Sequence, residues 1–185
     1  ILGRAGGRHR HALAHTRDPR VVRTGQRRGS IGSQQALGRR RRSRDEVDVV
    51  LLRIVDRITR RMRKAARVGR TVTLRFRFDD FGRATRSHTL LQHTHATRTV
   101  HATAVALLDA AWPMIEQRGL TLLGVSVGNL RNAGAVQLTL PFERAEMIEL
   151  EAALDAVRDR FGSSSITRAG SIGSDAGFTI PMLPD

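Results

Sequence analysis

Between residues 70 and 90 the chain reads RTVTLRFRFDDFGRATRSHTL. Thr71, Thr73, Arg75 and Arg77 alternate there with Val72, Leu74, Phe76 and Phe78. A strand sends alternate side chains to opposite faces. One face of this strand is therefore apolar and needs a core. The other offers guanidinium and hydroxyl donors, which suit phosphate oxygens better than a protein interior. Asp79, Asp80, Phe81 and Gly82 read as a turn, and residues 83–90 as a returning strand.

The other residues that could do chemistry are less persuasive. Asp79-Asp80 is the one tempting carboxylate pair. Two-metal catalysis needs carboxylates that converge on ions about 4 Å apart, whereas neighbours in a strand face opposite ways. Turn polarity explains the pair better. His93-x-His95 and His9-x-His11 could hold a metal ion, but they have neither cysteine nor a nearby carboxylate. His88, between Ser87 and Thr89, fits a structural or phosphate-contacting role. Glu143, Glu146, Glu149 and Glu151, with Arg144, Arg158 and Arg160, read as a solvated helix face. There is no glycine-rich phosphate loop and no nucleophile beside a base. The expectation is no catalytic residue and no metal site.

Charge points to a polyanionic partner. The chain has 32 Lys+Arg against 17 Asp+Glu, for a net charge of +15. Residues 1–70 carry 21 basic and 5 acidic residues, and residues 71–185 carry 11 and 12. A GC-rich coding bias accounts for Lys64 being the only lysine. It does not account for an excess concentrated in the first part of the chain. No cysteine is present, so disulfides and thiolate metal sites are excluded. No apolar run approaches the roughly 20 residues of a membrane helix. The chain starts at Ile1 in a helix-like stretch without a cap, which suggests a piece of a longer protein.

These groups need positioning elements. Residues 1–24 read as the end of a helical module, closed by Asp18-Pro19. Residues 25–45 read as an exposed basic linker containing Arg39, Arg40, Arg41 and Arg42, with a strand near residues 30–37. Ser43-x-x-Glu46 has capping-box spacing. Val47, Val50, Leu51, Ile54, Ile58 and Met62 then recur at helical intervals, opposite Arg53, Arg57, Arg60, Arg61 and Lys64. Gly69 is the expected stop. A second helix is expected over residues 97–112, bounded or restarted by Pro113, with Val100, Ala104, Leu107, Leu108 and Ala111 inward. A strand is expected over 120–130. Its inward set is Leu123, Val125 and Val127, and its small outward set is Gly124, Ser126 and Gly128. The fold class is α+β: a four-stranded sheet in βαββαβ order, with two helices on one face. The aromatics Phe76 and Phe78 fall on the inward parity, which favours backbone binding over base reading.

Several segments come in a familiar order: Ser30-Ile31-Gly32, the helix over 47–66, RTVTL at 70–74, TRSHTL at 85–90 and LLGVSVGNL at 122–130. Together they resemble the little-finger domain of Y-family DNA polymerases of the DinB type, the bacterial DNA polymerase IV group. Ala12-Leu13-Ala14 and residues 17–21 (RDPRV) are similar to the end of that family's thumb. The family usually has an acidic residue, a threonine and a phenylalanine where this chain has Gln34, Ala36 and Leu37.

The resemblance implies a domain plan. Residues 1–24 are the end of the thumb. Residues 25–45 are the basic linker and first strand, and 28–130 the DNA-binding little finger. Residues 131–142 are a clamp-binding segment, and 143–185 a C-terminal helix with a weakly structured tail. It implies a parent enzyme that copies damaged template in DNA repair, using Mg²⁺ on palm carboxylates that this chain lacks. The chain itself is expected to hold no cofactor and to be inactive alone. The expected partners are primer-template duplex, including damaged DNA, and the sliding clamp. A monomer in the cytoplasm, without membrane contact, is expected. Arg75, Arg77, Arg83 and Arg86 with Thr73, Thr85 and Ser87 would hold phosphates, and Arg39–Arg42 would form a charged tether.

Residues 137–142, QLTLPF, place a polar anchor before apolar anchors in an extended, proline-containing peptide. Such a segment docks into a preformed pocket at low ordering cost. It is similar to the bacterial clamp-binding motif, in which Gln137 would take the polar end of the pocket and Leu138, Leu140 and Phe142 would follow. A further sheet strand is the alternative, against which Pro141 argues. Met147, Leu150, Leu154, Val157 and Phe161 form the apolar side of a last helix. Two other readings stay open. One is a non-catalytic Y-family mutagenesis adaptor, and the other a standalone basic nucleic-acid-binding module.

Overall fold

The computed structural model describes residues 29–135 and 143–169. The elements in chain order are β1 (Ser30–Ala36), α1 (Arg44–Lys64), β2 (Arg67–Arg77), β3 (Arg83–Thr94), α2 (Thr97–Arg118), β4 (Leu122–Gly128), β5 (Arg131–Asn132), a 3-10 turn (Ala133–Ala135) and α3 (Glu143–Phe161). The first six give the expected βαββαβ order. The strands lie in the order β1-β4-β2-β3, and β5 adds a short pairing to the start of β2. All these pairings are antiparallel. The expected thumb remnant, residues 1–24, lies outside the described residues.

Both helices cover one face of the sheet. α1 packs over β1 and β4, α2 over β2 and β3, and the helices pack on each other. The apolar positions that recur along α1, from Val47 to Met62, are buried. Opposite them Val72, Leu74, Phe76, Leu123, Val125 and Val127 close the same core. Phe76 and Phe78 stack within it, with centroids 6.5 Å apart. Burying each large apolar side chain contributes about 1.5–3 kcal/mol.

Local chemistry sets the ends of α1. Ser43 caps it through the Glu46 amide, and the Glu46 carboxylate accepts from the Ser43 amide at 2.8 Å. The helix stops at Lys64, where Ala66 takes a left-handed φ of 48°. Gly69 is therefore not the stop. It lies within β2, at a register shift against β3. A Cβ on it would come within 2.6 Å of Val127 Cγ1. Close packing, rather than helix termination, accounts for this glycine.

α2 differs from expectation at Pro113. The helix runs through it to Arg118 and ends at Gly119, whose φ is 70°. Proline removes one amide donor from the ladder, and Pro113 is exposed, so its ring has room. Ile115, buried and just beyond it, anchors the continuation.

α3 also departs from its sequence pattern. Leu150 and Phe161 are exposed, while Glu151 and Arg158 are buried. The helix docks by charge. Glu151 accepts from the Thr97 amide at 2.9 Å, at the start of α2, where Ala96 supplies no side-chain cap. Arg63 of α1 donates to Asp155 at 2.6 Å and to Glu151 at 3.0 Å. Arg158 pairs with Asp56 at 2.8 Å, and Arg60 with Asp159 at 2.6 Å. Glu151 is thus a buried tertiary cap, not part of a solvated face.

Candidate nucleic-acid interface

The sheet face away from the helices is the candidate. Its rows follow from the strand register. Across β1, β4, β2 and β3, the first row is Ala36, Leu122, Arg77 and Arg83. The second is Gln34, Gly124, Arg75 and Thr85. The third is Gly32, Ser126, Thr73 and Ser87. The fourth is Ser30, Gly128, Thr71 and Thr89. The period of two holds best in the central strands: Val72, Leu74, Phe76, Leu123, Val125 and Val127 go to the helices, while the open face is mostly hydroxyls, glycines and arginines, with Gln34, Ala36 and Leu122 among them.

This face has a gradient. Three arginines, Arg75, Arg77 and Arg83, sit at the end nearest the β2–β3 turn. Hydroxyls and glycines fill the rest. Arg75 and Arg83 are exposed and have no ion pair among the described residues. Arg77 donates to Thr121 Oγ1 at 3.4 Å, while that hydroxyl donates to Arg77 O at 3.0 Å. At the far end Thr71 and Thr89 share a 3.1 Å hydrogen bond, and Asn129 Nδ2 donates to Thr71 at 2.7 Å. Thr71, Thr89 and Asn129 add to the expected set. Strand parity signals both threonines. Asn129 follows β4 with a left-handed φ of 53°, and only the fold brings it beside Thr71.

Along β4 the face opens at one end. Gly124 is buried between Gln34 and Arg75, where a Cβ would meet Gln34 Cβ at 3.3 Å, whereas a Cβ on Gly128 would meet nothing closer than 3.8 Å. A ligand can therefore approach the backbone at Gly128. Residues two apart along a strand are separated by about 6.8 Å, which suits repeated contacts to a phosphodiester chain.

Not every expected residue belongs here. Arg86 pairs in register with Leu74, so it lies on the helix side of the edge strand and not with Thr85 and Ser87. The period of two that places Thr85 outward turns Arg86 inward. The tether arginines also divide. Arg42 donates to Leu37 O at 3.0 Å, and Arg40 pairs with Glu46. Arg39 lies over the Phe81 ring, 5.4 Å from its centroid. Arg41 has no ion pair among the described residues. Gln137, Leu138, Leu140 and Phe142 lie outside the described residues.

Asp80 does turn chemistry. It accepts from the Gly82 amide at 2.8 Å and from Arg118 at 2.7 Å. Arg118 first, then the Gly82 amide, holds its carboxyl below the ordinary range. Asp79 Oδ1 is buried without a hydrogen-bond partner among the described residues. Among the described residues no group of three or more His, Asp or Glu could hold a metal ion. These carboxylates do not fit a polymerase Mg²⁺ site. Burial, then the Arg131 and Arg70 charges, pushes the His93 imidazole below its ordinary value. Burial followed by Arg63 does the same to His95. No helix among the described residues is long and apolar enough to cross a membrane.

Residues 28–140 match the model of the impB/mucB/samB family C-terminal domain. DNA polymerase IV 2 of Mesorhizobium japonicum is 34% identical over 196 residues, covering 98% of this chain and 46% of the relative. DNA polymerase IV of Moorella thermoacetica is 37% identical over 144 residues, covering 77% of this chain and 35% of the relative. The chain thus spans half or less of the length of these curated relatives. A solved complex of beta-clamp processivity factor and the little finger domain of PolIV aligns with a TM-score of 0.45 at 20% identity, covering 61% of this chain and 97% of that one.

Proposed function

This chain belongs to the impB/mucB/samB family and carries its C-terminal domain, and from that premise we propose that it is the DNA-gripping part of an error-prone translesion DNA polymerase of the polymerase IV type. Its open sheet face binds primer-template duplex, damaged duplex included, through the phosphate backbone. Arg75, Arg77 and Arg83 supply charge, and Thr73, Thr85 and Ser87 supply hydroxyl donors. Residues 137–142 dock on the sliding clamp through Gln137, Leu138, Leu140 and Phe142. Nucleotidyl transfer with Mg²⁺ belongs to a palm elsewhere in the parent enzyme, so this chain alone does not extend a primer. A monomeric, cytoplasmic setting is part of the same proposal.

One observation carries the reading. The large apolar side chains of β2 are buried, and the face left open presents mainly arginines, hydroxyls and glycines along β2, β3 and β4. That surface lacks the exposed aromatics of a base-stacking sheet and has donors for a phosphate chain. The test is fluorescence anisotropy on a primed duplex across a salt series. The proposal expects steep loss of affinity with salt, from counterion release. Weak binding that ignores salt would overturn it. A clamp pull-down with Gln137→Ala and Phe142→Ala, each expected to lose the clamp, tests the second contact separately.

A further inference from the structure

The β2–β3 turn carries an aromatic side chain that the fold does not use. Phe81 is 70% exposed, while Phe76 and Phe78 are buried. Its backbone takes a left-handed φ of 61°. For a bulky residue that is an outlier, in a position glycine would occupy without strain. The bonds that build the turn need no side chain at this position. The Phe78 amide donates to Gly82 O at 2.9 Å, the Phe81 amide to Phe78 O at 3.1 Å, and the Gly82 amide to Asp80. An exposed ring on a strained backbone is unfavourable on both counts, which directs attention to a contact outside the chain.

The turn is also tied to the end of α2. Arg118, at the end of α2, grips Asp80 through Nε at 3.0 Å and Nη2 at 2.7 Å. The Asp79 amide donates to Arg118 O at 3.2 Å. These bonds hold the tip away from the core, with the ring exposed.

Its surroundings carry a net positive charge: Asp79 and Asp80 precede it, Asp80 paired with Arg118, and Arg39, Arg77 and Arg83 stand nearby. Arg77 and Arg83 are the last pair before the turn. The Arg39 guanidinium already lies over one side of the ring. A ring of this kind, framed by arginines and next to a phosphate-binding face, matches the chemistry of an unpaired nucleobase and its flanking phosphates. An apolar peptide would use the ring but not the surrounding charge.

We infer that Phe81, backed by Arg39, stacks an unpaired nucleobase at the rim of the duplex-binding face. The inference rests on the duplex-binding reading above and adds base stacking to a surface otherwise limited to backbone contacts. The ligand class is single-stranded nucleic acid continuous with a duplex, such as an unpaired overhang.

The test compares two hairpin duplexes of equal length, one blunt and one ending in a short overhang that carries 2-aminopurine. The full chain is titrated by anisotropy and by 2-aminopurine fluorescence. The expected result is about tenfold tighter binding of the overhang duplex with a fluorescence change on binding, as stacking one base supplies. Phe81→Ala abolishes both the preference and the fluorescence change, and Phe81→Trp retains them. Phe81→Gly also loses the preference but raises the melting temperature by relieving the backbone, which separates lost stacking from lost folding. An overhang preference equal in wild type and Phe81→Ala, or no preference in either, overturns the inference. Failure of the duplex-binding reading shows elsewhere, as blunt-duplex affinity indifferent to Arg75→Ala combined with Arg77→Ala. The overhang ratio decides the role of Phe81 in either case.

Discussion

Arg75 and Arg63 are the same residue type in two different situations. Arg75 stands exposed on the open sheet face with no carboxylate among the described residues. Arg63 is 11% exposed at the seam between α1 and α3, held by Asp155, Glu151 and the Thr97 hydroxyl. The open face keeps its cations apart from the protein's own acids. The seam matches Arg60, Arg63, Arg158 and Arg168 with Asp56, Glu151, Asp155 and Asp159. A surplus of arginine in a sequence therefore does not by itself mark a polyanion site. What marks it is the absence of a carboxylate brought in from elsewhere in the chain.

The largest expected effect breaks the seam. Arg63→Ala leaves Glu151 buried and Asp155 largely so, with only the longer pairings to Arg168 at 3.8 Å and to Arg60 at 3.9 Å. Removing one partner of a buried pair costs about 3–5 kcal/mol. Urea denaturation should show that loss as a lower midpoint. Arg75→Ala, exposed and unpaired, should move stability by less than about 0.5 kcal/mol. Equal effects from the two substitutions would mean that the seam and the face do not differ in this way.

The reverse experiment targets the open face. Arg75→Ala with Arg77→Ala should reduce the slope of log affinity against log salt by about 1.8, or about 0.9 for each phosphate no longer neutralised. The seam arginines should have no such effect. A salt slope unchanged by the double substitution would remove the open face from duplex binding.

The legibility of the two regions differs for a physical reason. The open face obeys a local rule, because one strand's parity places Thr73, Arg75 and Arg77 together and each neighbour repeats it. The helix α1 is equally legible from Ser43, Glu46 and its apolar spacing. The seam follows no local rule. Arg63 and Asp155 lie 92 residues apart, and nothing in the intervening sequence announces their meeting. The apolar repeat of α3 is only partly used: Leu154 and Val157 are half-buried, while charge docks the helix and leaves Leu150 and Phe161 exposed. Pro113 misleads through its general preference, which the buried Ile115 overrides. Arg86 is grouped with Thr85 and Ser87 by proximity in sequence, although adjacent strand residues must part.

Glycines sharpen the contrast by separating fold from ligand. Gly69→Ala forces a Cβ against Val127 Cγ1 and Gly128 O. Such overpacking costs about 1–3 kcal/mol, read as a lowered melting temperature. Gly128→Thr has open space and sits in a strand, so stability should stay within about 0.5 kcal/mol of wild type. The added side chain fills the strip beside Thr71 and should weaken duplex binding several-fold in the anisotropy assay. Undiminished binding by Gly128→Thr would move the ligand off β4.

The smallest expected effect is a response to pH. His95 is half-buried beside Arg63, with Nδ1 buried and unpartnered among the described residues. Burial first, and then the Arg63 charge, lowers its affinity for a proton in the fold, although Glu151 and Asp155 pull the other way. Burial lowers His101 in the same direction. In the unfolded chain both titrate near about 6.5. Below that value the unfolded state binds more protons than the fold, so stability falls with pH. The stabilising contribution is complete above about pH 7 and is lost as pH drops from about 6.5 through the folded values. Urea midpoints measured over that window should decline, and His95→Gln with His101→Gln should flatten the decline. The arginines of the open face stay charged throughout, so duplex affinity of the folded protein should not follow the same curve. A stability profile that stays flat in wild type would mean that neither imidazole resists protonation in the fold. Parallel loss of duplex affinity and stability would tie the open face to the seam, two regions that the geometry keeps on opposite sides of the sheet.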